Sequence, residues 1–298
     1  MVVIGVIGLL LAILLPALGS ARESARRTSC MNNLRQAGAA VANFSEAYGA
    51  FPTGRQSGLS GPALLLPYLE HRELFELLIK GQRGGTPLIS SLCCPSDPEI
   101  WANNSAGEGD SSYLFCNGTK FPTNPLLEGL NGFVSNGLKH TRPSDITDGL
   151  SNTVAMSERR SLPRDYQTDV PVDSPQAVQY LWWTDNRFHL PGQEDNAAQQ
   201  AKSNRRTNSP RLWTTLCASY VPFVQYDHIL PPNVPGSHNG PEDMDSTRYS
   251  YVSLVPASSL HKGGINSLFV DGSVRFHSSD VDLSVWRALG SRNGGETY

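Results

Sequence analysis

The chain has 298 residues, 24 Lys and Arg against 27 Asp and Glu, and a net charge of -3. That balance excludes a broadly basic nucleic-acid binder and a strongly acidic solvating chain. With 39% hydrophobic residues, 17% charged residues, 27 glycines and 21 prolines, the composition suits a turn-rich domain containing β-structure, and suits neither a helical bundle nor a disordered tail.

Val2 to Leu18 reads VVIGVIGLLLAILLPAL and carries no charge; the first charged residue is Arg22. Twenty helical residues cover about 30 Å, the thickness of a bilayer core. The run exceeds the roughly 7–15 apolar residues of a cleavable signal, and no basic residue precedes it. It predicts a membrane-spanning helix with Val2, Ile4, Ile7, Leu11, Leu14 and Leu18 among its anchors. A buried core helix is the alternative, and Pro16 is tolerated near the end of a membrane span. From Ser20 to Tyr48 there is no proline, and Cys30, Leu34, Val41, Phe44 and Tyr48 recur on one helical face. Arg22, Glu23, Arg26, Arg27 and Arg35 lie off that face, with Glu23 placed to pair with Arg27. Gly49 and Pro52 then stop the helix. The expectation is one long helix, residues 1–20 in lipid and 21–48 amphipathic against a globular domain of 49–298. Arg22, Arg26 and Arg27 after the span, taken alone, would place that domain in the cytoplasm.

Residues 61–80 read as a second helix broken at Pro67, with Leu69, Leu74, Leu77 and Leu78 on its apolar side. Turn-rich 81–109 encloses Cys93-Cys94-Pro95-Ser96-Asp97-Pro98. Strands are predicted at 152–157, 179–184, 212–221 and 250–255 from their aromatic and β-branched content. Polar 185–211 and Pro/Gly/Asn-rich 231–247 read as loop insertions. Ile265–Val270 and Ser273–His277 flank Asp271-Gly272, the signature of a two-residue hairpin turn in which both positions take positive φ.

Five cysteines are too few for a disulfide scaffold, and no C-x-x-C pair points to a zinc ribbon. Adjacent Cys93 and Cys94 would be strained as a pair. Either could bond to Cys116, or the thiols are simply buried. His261 and Asp271 stand at opposite ends of one predicted strand, roughly 25–30 Å apart, so they do not read as a catalytic pair. Asp271 is expected to shape the turn and His261 to pack or hydrogen-bond. The rival is a Ca2+ site from Asp271 with Asp280 or Asp282. Asp145, Asp148 and Asn152 also cluster around Gly149 but depart from an EF-hand loop, and a turn explains them. No nucleophile elbow, phosphate loop or H-E-x-x-H is present, so a hydrolase built on His261 and a serine lacks a motif. The chain is expected to be no enzyme, to carry no cofactor beyond the Ca2+ alternative, and to bind no nucleic acid. Trp182, Trp183 and Trp213 motivate a second class of function, a membrane-tethered glycan- or solute-binding module, although aromatic residues are more often core.

Several segments together carry a resemblance: the N-terminal VVIGVIGLLLAILLPALGSARESARRTSCMNNLRQAG, then NFSEAYGAFP, GPALLLPYLE, CPSDP, DGLSNTVAMSE, HKGGINSLFVDGSVRF and RALGSRNGGE. The chain resembles prepilin-like proteins, the type IV pilins and type II secretion pseudopilins. More narrowly it resembles a prepilin-like family abundant in planctomycete-type bacteria with a C-terminal motif of His, nine residues and Asp-Gly. Here that motif is His261, Asp271 and Gly272. The resemblance implies an α+β fold, a long N-terminal helix packed on an antiparallel β-sheet. It implies a single pass of the inner membrane with the domain outside the cytoplasm, in the periplasm or at the cell surface. It also implies partners: like or related pilin-type subunits joined through the helix, and a prepilin peptidase acting on an upstream leader, with methylation of the new N-terminus. The family's basic leader and the glutamate at its fifth mature position have no counterpart here, so a start upstream of Met1 is expected, the alternative being a member that has lost processing. A cytoplasmic leader would outweigh the arginines after the span.

Overall fold

The computed structural model describes residues 2–82, 84–102, 109–121, 129–134, 139–161, 181–184, 192–203, 208–209, 225–239 and 253–296, with the backbone alone at 2, 5, 181–184, 201–203, 208–209 and 238–239. In chain order, helix α1 (Val2–Tyr48) is followed by the short strands β1 (Arg55–Gln56) and β2 (Leu59–Ser60), a 3-10 helix (Pro62–Tyr68), α2 (Arg72–Ile79) and α3 (Pro98–Ala102). Then come β3 (Tyr113–Cys116), β4 (Val154–Glu158), β5 (Leu181–Thr184), α4 (Glu194–Ser203), β6 (Asn208–Ser209), β7 (Gln225–Tyr226), β8 (Gly236–Asn239) and β9 (Ser253–Leu254). The chain closes with β10 (Gly264–Phe269), β11 (Val274–Ser278) and α5 (Leu283–Gly290).

The class is α+β. The main sheet has the order β11-β10-β4-β3-β7. It is antiparallel except that β7 runs parallel to β3, so it is mixed rather than purely antiparallel. A smaller sheet, β6-β5-β8-β9, is likewise mixed, with β5 parallel to β8.

Cross-strand partners share a face, and this separates two sides of the main sheet. Tyr113, Phe115, Met156, Glu158, Asn266 and Leu268 face α1, while Leu114, Ser157 and Ser267 face α5. Helix α1 lays Cys30, Leu34, Ala37, Ala40 and Val41 against the first side, and Phe44 packs beside Tyr68 and His140. Each large apolar side chain buried there contributes about 1.5–3 kcal/mol. Gly38 makes this approach possible, since a Cβ there would stand 2.8 Å from Leu268 Cδ1 and 3.5 Å from the Gly272 Cα. Tyr48 closes the predicted stripe in sequence but is exposed, its ring 4.6 Å from that of Phe44. On the second side Trp286 of α5 stacks on His228 with ring centres 3.6 Å apart. The buried hydroxyls of Tyr226, Ser157 and Ser267 form a chain beneath it.

Several elements differ from the expectation. The break in 61–80 falls after Pro67, which stays inside the 3-10 helix; Glu70, at φ 66°, makes the turn into α2. The polar stretch 185–211 contains α4, whose Ala197 and Ala198 are buried with Phe121, Ile229, Leu230 and Leu254. The loop at 231–247 contains β8, paired on both edges. Strand 212–221 lies outside the described residues.

The Asp271-Gly272 hairpin has three loop residues, not two. The Gly272 N–H donates to the Phe269 carbonyl and the Phe269 N–H to the Ser273 carbonyl. Only Gly272 takes positive φ, at 86°, which is the turn-plus-bulge loop rather than the tight mirror-image turn.

Candidate functional site

The densest polar cluster sits where α1 meets the sheet, and it is centred on His261. Glu23 lies on α1 just after the exposed apolar segment, and Cys30 lies two turns further along the same face. A residue every seven positions returns to that face. Cys94 follows a 3-10 turn (Ser90–Leu92) that α1 itself holds, because Asn33 Nδ2 donates to the Ser90 and Cys93 carbonyls at 3.2 and 3.0 Å. The Cys94 N–H donates to Ser112 Oγ at 2.8 Å. Glu158 ends β4 and is buried; Asn266 of the neighbouring strand donates to it through its backbone N–H and its Nδ2, each at 2.9 Å.

His261 stands before β10 with its side chain out of solvent. Its Nδ1 lies 2.7 Å from Glu23 Oε1 and its Nε2 lies 3.2 Å from Glu158 Oε1. Burial alone would lower the His261 pKa, but the hydrogen bonds and charges of Glu158 and Glu23 outweigh it and raise the value above that of an ordinary histidine. At Glu23, burial opposes ionisation. The hydrogen bonds from His261 and Arg26, with Ser96 adding a smaller one, hold the pKa below the usual carboxylate range. The His261 ring is therefore bracketed by two acidic side chains, one from the helix and one from the sheet. Glu23 pairs with Arg26 at 2.8 Å rather than with Arg27; the Arg27 guanidinium stacks on the Phe276 ring, 3.7 Å from its centre.

The same cluster holds the disulfide. Cys94 is bonded to Cys30, with Cα atoms 5.4 Å apart, and not to Cys116. The bond ties α1 to the loop that packs on it, and Cys94 Sγ lies 3.7 Å from His261 Nε2. Cys93 and Cys116 are buried thiols. Burial pushes both up to about 12, so they are unreactive at neutral pH. Cys217 lies outside the described residues.

His261 and Asp271 are not brought together. Asp271 is exposed at the far end of β10 and accepts the Ser273 N–H at 2.9 Å, as a turn residue does. The Ca2+ candidates do not converge either. Asp282 caps α5 by accepting from the Ser284 and Val285 N–H groups at 2.8 and 3.3 Å, and Asp280 is exposed. Asp148 accepts from Gly294 and Gly295 at 2.7 and 3.0 Å and so pins the C-terminal segment. Among the described residues, the one group of four His, Cys, Asp or Glu side chains with ligating atoms within 4.8 Å of one another is Cys30, Cys94, Glu158 and His261. Trp182 and Trp183 lie on β5, where only the backbone is described, and Trp213 lies outside the described residues.

The family described as "Protein of unknown function (DUF1559)" matches residues 19–284. The chain belongs to this family. No curated protein and no solved structure matches it. The DUF1559 match begins at the end of the exposed apolar segment and contains every residue of the His261 cluster. Helix α1 is long and apolar enough to cross a membrane. Its described side chains from Val3 to Arg22 are all exposed, with Ile4 72%, Val3 69% and Leu15 66% accessible.

Proposed function

We propose that this chain is a pseudopilin-like structural protein of the cell envelope, not an enzyme. It is anchored in the inner membrane by the first part of α1, and its domain lies outside the cytoplasm. One observation carries the reading: α1 is a single continuous helix with two unlike halves. Residues 30–41 bury a stripe on the sheet, whereas the described apolar side chains before Arg22 are exposed. An apolar surface of that size requires lipid or other helices to cover it. Like or related subunits joined through Ile4, Ile7, Leu11, Leu14 and Leu18 are the partners that fit it. The Cys30–Cys94 disulfide supports an oxidising compartment for the domain, against the placement suggested by Arg22, Arg26 and Arg27 alone. The prepilin resemblance adds processing by a prepilin peptidase and N-terminal methylation.

Single cysteines introduced along the apolar stretch test assembly in native membranes. Ile7→Cys, Leu11→Cys and Leu14→Cys fall on one helical face, and Leu9→Cys falls on the opposite one. Oxidation is expected to give covalent dimers from the first three and not from Leu9→Cys. No dimer from any position would refute assembly through α1 and leave a tethered domain.

A further inference from the structure

We propose that the Cys30–Cys94 disulfide occupies a metal site, and that with both cysteines reduced the four side chains Cys30, Cys94, His261 and Glu158 bind one zinc-class divalent cation.

The donor set has the composition of a tetrahedral zinc site: two sulfurs, one imidazole nitrogen and one carboxylate oxygen. Bonds of about 2.3 Å to sulfur and about 2.0–2.1 Å to nitrogen or oxygen place a sulfur and a nitrogen ligand about 3.6 Å apart, and a nitrogen and an oxygen about 3.3 Å apart. Cys94 Sγ already lies 3.7 Å from His261 Nε2, and that nitrogen lies 3.2 Å from Glu158 Oε1. Two edges of the tetrahedron are thus in place, and the main change needed is separation of the sulfurs.

The surrounding shell is also complete. A metal-bound histidine usually donates its other N–H to a carboxylate. With Nε2 on the metal, His261 Nδ1–H meets Glu23 at 2.7 Å. Glu158 is oriented by the two hydrogen bonds from Asn266. Neither Glu23 nor Asn266 needs to move. The ligands come from α1, the loop after Ser90–Leu92, β4 and the segment before β10, so metal and disulfide are two mutually exclusive ways to fasten α1 to the domain.

The chemistry balances with a water-soluble trialkylphosphine as reductant. Two electrons pass from phosphorus to the S–S bond, which breaks. A water molecule gives its oxygen to the phosphine and its two protons to the two sulfurs. Binding of the cation then releases the two thiol protons and the Nε2 proton of His261 to solvent.

The test uses the full chain in detergent, oxidised or phosphine-reduced, with Co2+ as the spectroscopic probe and Zn2+ as competitor. The reduced protein is expected to bind one Co2+ with thiolate charge-transfer absorption and tetrahedral visible bands, both displaced by one equivalent of Zn2+. The oxidised protein is expected to give neither. Cys30→Ser with Cys94→Ser should abolish the signal. His261→Ala and Glu158→Gln should each weaken Zn2+ at least tenfold, and Glu23→Gln should weaken it by about 10–100-fold without loss of the thiolate bands. Cys93→Ser with Cys217→Ser should leave binding unchanged. Absence of thiolate absorption in the reduced wild type would overturn the proposal. So would equal binding by the oxidised protein, or loss of binding in the Cys93/Cys217 variant. The redox comparison needs no substitution, so a variant that fails to fold does not blunt it.

Discussion

Replacing both Cys30 and Cys94 by alanine removes the covalent tie between α1 and the domain, and its cost follows from the chain length enclosed. The two residues are 64 apart in sequence. Closing a loop of that size restricts the unfolded chain by about 4 kcal/mol at 25 °C in the chain-entropy account. The contacts of Leu34, Val41 and Phe44 remain, so α1 stays docked and the loss appears as lower stability, not as an unravelled domain. With a urea dependence of about 2 kcal/mol per molar, the midpoint falls by roughly 2 M. The assay is urea unfolding of the full chain in mild detergent with a chelator present, followed by tryptophan fluorescence. Phosphine reduction of the wild type should reproduce the shift and should not move the double variant further. Coincident curves for variant and wild type, or an equal phosphine effect on both, would refute the reasoning.

The other predictions rest on single positions. Burial pushes His228 down to about 3, between the Trp286 carbonyl and the Tyr226 hydroxyl. The unfolded chain therefore takes up a proton there first as the pH falls below the ordinary histidine value. The stability that neutral His228 permits is lost between about pH 6.5 and pH 3, by up to about 1.4 kcal/mol per pH unit. His228→Gln should flatten that part of the stability profile measured by urea titration, and an unchanged slope would contradict the assignment. Gly38→Val should destabilise by about 1–3 kcal/mol because its side chain enters the space of Leu268 and Gly272; a neutral result in the same assay would mean that α1 does not approach β10 so closely. Gly272→Ala should cost about 1–2 kcal/mol for its left-handed backbone, and Asp271→Ala less. Millimolar Ca2+ should leave the thermal midpoint of the wild type where it is, since Asp271, Asp280 and Asp282 are each engaged in separate turns or exposed; a rise on adding Ca2+ would restore the cation reading.

Patterns with a short range were legible in the sequence. The uninterrupted apolar run, the stripe from Cys30 to Phe44, the strands expected at 152–157, 265–270 and 273–277, which form with slightly shifted ends, and the helix stop at Gly49 each depend on neighbours within a turn or a hairpin. The main failures involve partners far apart in the chain. Glu23 read as half of a local pair with Arg27, because nothing nearby reveals His261, 238 residues away. Glu158 gave no signal, since a single Glu at a strand end is ordinarily solvated. Cys94 gave no clue that helix α1 would carry Cys30 to it. Asp271-Gly272 marked the hairpin correctly but not its length, because the turn type is set by where Phe269 and Ser273 pair. The motif of His261 and Asp271-Gly272 therefore joins two separate tasks: one end sits in the buried cluster against α1 and the other turns the hairpin.

The division of α1 into an anchor and a docked half is tested most directly by alkaline extraction of native membranes, comparing the full chain with one lacking residues 2–18. The account predicts that the full chain stays in the washed membrane. The shortened chain should be soluble. Extraction of the full chain into the supernatant, or continued membrane partition of the shortened one, would contradict it.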